Sequence, residues 1–119
     1  MPTSKNVRDT PAWKQAQALV DLVNGLTRAW PRNDQYQIAD QIRRAAAHVP
    51  AQIAAGHAAG AAGREQLGQA QWALREVETH LRVAERLGYV QGPDAARVRG
   101  ATKDVSRALD GLAWTLADQ

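Results

Sequence analysis

The sequence predicts an all-α protein: an antiparallel up-down four-helix bundle whose second helix is kinked at Pro50. Three observations predict it. Apolar residues recur at three- and four-residue steps through four separate stretches. Strong breaks at Trp30-Pro31, Gly56 to Gly63 and Gly88 to Pro93 divide those stretches. No segment of useful length alternates with period two, as a half-buried strand would.

The first helix opens at Thr10, which can cap free amides, and at Pro11, which has no N–H to leave unpaired. Trp13, Ala16, Val20, Val23, Leu26 and Trp30 form its expected buried stripe, and Trp30-Pro31 ends it. The second helix is expected to begin near Asp34, a cap or first-turn acid, with Ile38, Ile42, Ala45, Val49 and Ile53 on one face. Pro50 cannot donate to the carbonyl of Ala46, so the helix should bend there while its stripe keeps phase. Gly56, Gly60 and Gly63 then dissolve it into a turn. Leu67, Ala70, Leu74, Val77, Leu81 and Ala84 give the third helix an unbroken seam, stopped by Gly88. Pro93 opens the fourth, whose buried face is Val98, Ala101, Val105, Leu109, Leu112 and Leu116. Short connections make sequential helices antiparallel neighbours. Residues 1–10 read as a flexible N-terminal arm and residues 11–119 as a single domain.

The apolar residues are mostly small: 24 alanines, ten leucines, nine valines, three isoleucines and no phenylalanine among 119 residues. Such a core stabilises less per side chain, which is one reason for a chain to add a subunit interface. The absence of cysteine excludes disulfides, thiolate catalysis and thiolate metal sites. No apolar run reaches membrane-spanning length, so no membrane partner is expected. Met1 to Thr10 contain no apolar stretch of the kind a secretory leader needs, and the expected location is cytoplasmic. Net charge is +3, with a pI near 9.8. The excess lies in the arm, the first helix and the Arg32 linker; the other three helical segments each sum to zero. Twelve of the fifteen basic residues are arginine, which a GC-rich genome explains as readily as a phosphate-binding role.

Two features stand out for function. At roughly 100° per residue, Trp72 points about 160° and Trp114 about 170° from the apolar stripes of their helices. Outward tryptophans are enriched at interfaces, so both are candidate subunit contacts; a base-stacking platform and a plain surface position are the alternatives. Arg99, Lys103 and Arg107 follow i, i+4, i+8 on the fourth helix, and Arg43 and Arg44 stand side by side on the exposed flank of the second. These are the candidate nucleic-acid contacts, weighed against an ordinary solvated, salt-bridged face.

No catalytic, cofactor or metal site is expected, and no enzyme. All four glutamates, Glu65, Glu76, Glu78 and Glu85, fall on the third helix, and none begins the Glu-x-x-His pair of a di-iron bundle. His48, His57 and His80 share no ligand spacing. Gly56-x-x-x-Gly60 lacks the Gly-Lys-Ser/Thr ending of a phosphate loop.

The run from Gln41 to Gly56, with Arg43-Arg44-Ala45-Ala46-Ala47-His48-Val49-Pro50-Ala51-Gln52-Ile53 at its centre, resembles the signature of a bacterial four-helix-bundle family. That family is known from proteins encoded in intervening sequences of large-subunit ribosomal RNA genes. Trp13-Lys14-Gln15-Ala16, Pro31-x-x-Asp34-x-Tyr36, Glu76-Val77-Glu78-Thr79-His80-Leu81 and Leu87-Gly88-Tyr89 agree in order and spacing. His48, Gln52 and Ala55 stand where members usually carry Ser, Asn and Glu, and Trp72-Ala73 where they carry Gly-Ser. The resemblance implies an up-down bundle assembled into a cyclic homopentamer with no established enzymatic role. A related branch, the accessory variability proteins of diversity-generating retroelements, works with a reverse transcriptase and binds nucleic acid. The resulting expectation is a self-assembling bundle that acts as an accessory RNA- or DNA-binding protein; the alternative is a protein-interaction scaffold.

Overall fold

The computed structural model describes residues 6–118, so the first half of the expected arm, residues 1–5, lies outside the described residues. Val7–Asp9 form a 3-10 turn, with the Arg8 amide on the Asn6 carboxamide and the Thr10 amide on the Val7 carbonyl. Val7 packs against the core, and Thr10 is buried.

Every regular element among the described residues is helical: α1 (Pro11–Thr27), α2 (Ile38–Ala59), a 3-10 turn Gly60–Gly63, α3 (Arg64–Arg86) and α4 (Gly92–Ala117). The turn expected between the second and third segments is not coil. Helical conformation continues from Ile38 to Arg86, giving three uninterrupted helical stretches. A straight helix over residues 38–86 would be about 73 Å long, yet the longest dimension of the molecule is 46 Å. The stretch therefore folds back at its 3-10 joint, laying α3 against α2. Gly56 and Gly63 make this possible: a Cβ on Gly63 would lie 2.0 Å from the Gly56 carbonyl oxygen. α1 packs on both α2 and α4, and α3 packs on α2 and α4, so one core lies among all four.

Thr10 caps α1 through its hydroxyl, which accepts from the Trp13 amide at 3.2 Å. α1 ends at Thr27, three residues before Trp30. Its buried face is Ala12, Ala16, Leu19, Val23 and Thr27, rotated from the expected stripe. Val20 and Leu26 flank that face, and Trp13 is half-exposed. The reason is chemical: Thr27 can be buried because its hydroxyl donates to the Val23 carbonyl at 2.8 Å. Trp30 lies past the helix but is buried, its ring 6.1 Å from that of Tyr89.

Asp34 does not cap α2. Its carboxylate closes a tight turn by accepting from the amides of Tyr36 and Gln37. Gln37, in the left-handed region at φ 48°, then leads into Ile38. α2 runs through Pro50, which is itself buried, and all five expected apolar positions face inward. The third seam is buried as expected, with Ala73 added. On α4, Thr102 is buried in place of the expected Ala101.

α3 closes with Gly88 at φ 79°, the Gly88 amide donating to Glu85 and the Tyr89 amide to Ala84. This is the paired hydrogen-bond ending that favours glycine. A Cβ there meets nothing within 4 Å, so Gly88→Ala tests backbone strain alone. It should lower unfolding free energy by about 1 kcal/mol in urea titration. An unchanged midpoint would show that this helix end does not depend on the left-handed residue.

Candidate functional site

The outer side of the α3–α4 pair is built on a polar ladder. Arg64, Gln71, Glu78 and Glu85 recur every seven residues, so they line one edge of α3. Glu85 pairs with Arg99, Glu78 accepts from Thr102 at 2.8 Å, and Gln71 bonds Ser106 at 2.8 Å and Asp110 at 3.2 Å. The α4 number falls as the α3 number rises, so the two helices run antiparallel. Thr102 is almost fully buried, and its hydroxyl also lies 2.8 Å from the Arg99 carbonyl.

This ladder sorts the charges of two segments that each sum to zero. Glu78 and Glu85 are drawn into the seam, and Asp110 is held at its edge by Gln71. By helical position at roughly 100° per residue, Glu76 and Asp104 fall on the two outer flanks, each on the side away from the neighbouring helix. Between those flanks stand Lys103 and Arg107 on α4, and Arg75, Arg82 and Arg86 on α3. All five are exposed and enter no ion pair with a described residue. Arg75 lies level with Lys103, and Arg82 between the levels of Thr102 and Arg99. The two helices thus present one basic face.

The expected nucleic-acid contacts are placed unequally. Lys103 and Arg107 lie on that face. Arg99 leans into the seam, its charge matched by Glu85. Arg44 is exposed on α2, apart from the α3–α4 seam. Arg43 is half-buried and does not stand on the open flank expected for it. Its Nε donates to the Thr27 hydroxyl at 2.6 Å, tying α2 to α1 beside a pocket of about 190 Å³. Adjacent residues lie about 100° apart on a helix, and of these two only Arg44 lies on the exposed side. Arg75, Arg82 and Arg86 were missed in the sequence, although their i, i+7, i+11 spacing is visible there; the glutamates between them mask it.

Trp72 and Trp114 are both outward, 59% and 77% exposed. Trp114 borders a groove of about 490 Å³ along the α3–α4 seam, floored by Leu67, Ala113 and Leu116 with Arg64 and Asp110 at its edge. Trp72 does not line it.

No three His, Cys, Asp or Glu side chains cluster as a metal site among the described residues. His48 lies 3.2 Å from the Gln52 amide on the exposed side of α2. Burial holds the His80 imidazole below its ordinary value, against an upward pull from Glu76. Among the described residues no helix is long and apolar enough to cross a membrane.

Compared with known proteins, residues 8–111 match the family model described as 23S rRNA-intervening sequence protein. No curated protein matches the chain.

Proposed function

Because the chain belongs to the 23S rRNA-intervening sequence protein family, we propose that it is a self-assembling accessory protein that binds RNA or DNA through the basic face of α3 and α4. In this reading the helices form an antiparallel up-down four-helix bundle, bent at Pro50 and assembled as a cytoplasmic homopentamer. No catalytic step is assigned to it. The observation that carries the proposal is the sorting of charge. Acids bound in the seam or turned to the flanks leave Arg75, Arg82, Arg86, Lys103 and Arg107 together and without an ion pair to any described residue. Arginine and lysine so placed neutralise successive phosphates without reading sequence. Assembly would repeat the face around a ring and turn weak sites into avidity. We propose with it a relation to the accessory proteins of diversity-generating retroelements, on the run from Gln41 to Gly56.

The test is a binding series with labelled structured RNA and single-stranded DNA from about 50 to 200 mM salt. Five phosphate contacts give a slope of log K against log salt near −4.5 for duplex and −3.5 for single strands. Lys103→Glu with Arg107→Glu should reduce the slope by about 2, and Arg75→Glu with Arg82→Glu by a similar amount. No binding at 50 mM salt would overturn the nucleic-acid reading. A protein-interaction scaffold, favoured by the exposure of Trp72 and Trp114, would then stand in its place.

A further inference from the structure

The groove beside Trp114 and the indole of Trp72 are two different surfaces of one chain, and no described residue covers either. The groove runs along the α3–α4 seam near the 3-10 joint, with an apolar floor of Leu67, Ala113 and Leu116 and Trp114 as a wall. One cation and one anion stand at its edge. Arg64 has no ion-pair partner among the described residues, and Asp110 is held only by the Gln71 amide.

Trp72 lies one residue beyond Gln71 and is therefore turned about 100° from the seam. It cannot fold into its own chain's groove. One turn further along α3, Arg75 and Glu76 flank it on either side, both exposed and neither in an ion pair with a described residue. The knob thus carries an indole, a cation and an anion. The groove offers an apolar slot, an anion and a cation.

We infer that Trp72 of one copy docks in the Trp114 groove of a second copy, with Glu76 meeting the second copy's Arg64 and Arg75 left on the open basic face. This rests on the self-assembly reading above and supplies its contact. A knob and a groove on different faces make a head-to-tail interface, which closes into a ring when the rotation allows. Burying a central tryptophan in an apolar pocket ringed by polar groups is the arrangement that dominates interface energy. The Asp110 carboxylate at the groove's edge also favours a mixed-charge protein surface over a polyanion.

The test is sedimentation of the full chain, with helicity checked by circular dichroism; both tryptophans are exposed, so neither change empties the core. Trp72→Lys and Trp114→Lys should each weaken association by about 30-fold or more. Mixing the two variants should restore two-subunit complexes, because the first keeps an intact groove and the second an intact knob. Arg64→Glu should weaken assembly, and adding Glu76→Arg should recover it. A wild-type chain that stays monomeric at 100 µM would overturn self-assembly itself. An assembling wild type whose Trp72→Lys variant assembles equally well would overturn only the docking, as would two weakened variants that fail to complement. Loss of RNA binding in Trp114→Ala without any change in assembly would also overturn it, assigning the groove to a stacked base.

Discussion

Gly63→Ala is expected to be the most damaging methyl addition in the chain, lowering unfolding free energy by roughly 3 kcal/mol or more. The new Cβ would sit 2.0 Å from the Gly56 carbonyl oxygen and within 2.8 Å of two further Gly56 backbone atoms. Backbone cannot rotate aside as a side chain can, so relief requires the α2–α3 joint to open. The backbone of Gly63, at φ −84°, is one any residue adopts, so the cost is steric and not conformational. Gly56→Ala is the internal control. Its Cβ would meet the Leu67 side chain at 2.6 Å, a neighbour that can partly give way, and the loss should be smaller. Urea unfolding of both variants measures the difference. Equal, small losses would mean that the two helices are not held at this spacing.

Trp30→Ala should cost about 3–5 kcal/mol, the range for deleting a buried large aromatic. Trp30 is 5% exposed although it belongs to no helix, and its ring is tilted 48° to that of Tyr89. The pair ties the connection leaving α1 to the connection entering α4. Its removal opens a cavity where two connections meet and leaves the Tyr89 ring without its partner. The expected drop in Tm is roughly 10–20 °C. A loss below about 1 kcal/mol would show that the linker is anchored elsewhere, through the Asp34 turn or the Arg43–Thr27 bond.

What could be read from the sequence depended on how much of the packing was local. The α3 seam was legible in full, because large apolar residues at 3-4 spacing leave only one possible face. α1 was not. Its larger residues, Trp13, Val20 and Leu26, sit on the border of a buried face made of alanine, leucine, valine and a threonine. Beyond a bond within its own helix, the buried hydroxyl of Thr27 finds a partner in Arg43 and that of Thr102 in Glu78, each on another helix. No one-helix pattern could reveal those partners. The same limit applied to the basic face. Lys103 and Arg107 were legible from an i, i+4 step, but Arg99 is neutralised by a residue 14 positions away on another helix. Arg75, Arg82 and Arg86 lie in a segment whose charges cancel in sequence, and only the seam separates them. The seven-residue recurrence of Arg64, Gln71, Glu78 and Glu85 was the signal that could have exposed the seam.

The 3-10 joint also sets the order in which the chain can organise itself. Bringing α3 against α2 closes a loop of only four residues, Gly60–Gly63, and short closure sacrifices little chain entropy. Packing α1 on α4 must bring together segments separated by most of the chain. The α2–α3 hairpin is thus the natural nucleus, with rapid local pairing ahead of slow distant closure. During synthesis α1 leaves the ribosome first but waits for its second neighbour until α4, the last helix made, has emerged. In that interval the side of α1 meant for α4 stands uncovered. That side is narrow, with Leu19 and Val23 its only large apolar residues, and so offers other nascent chains little to stick to.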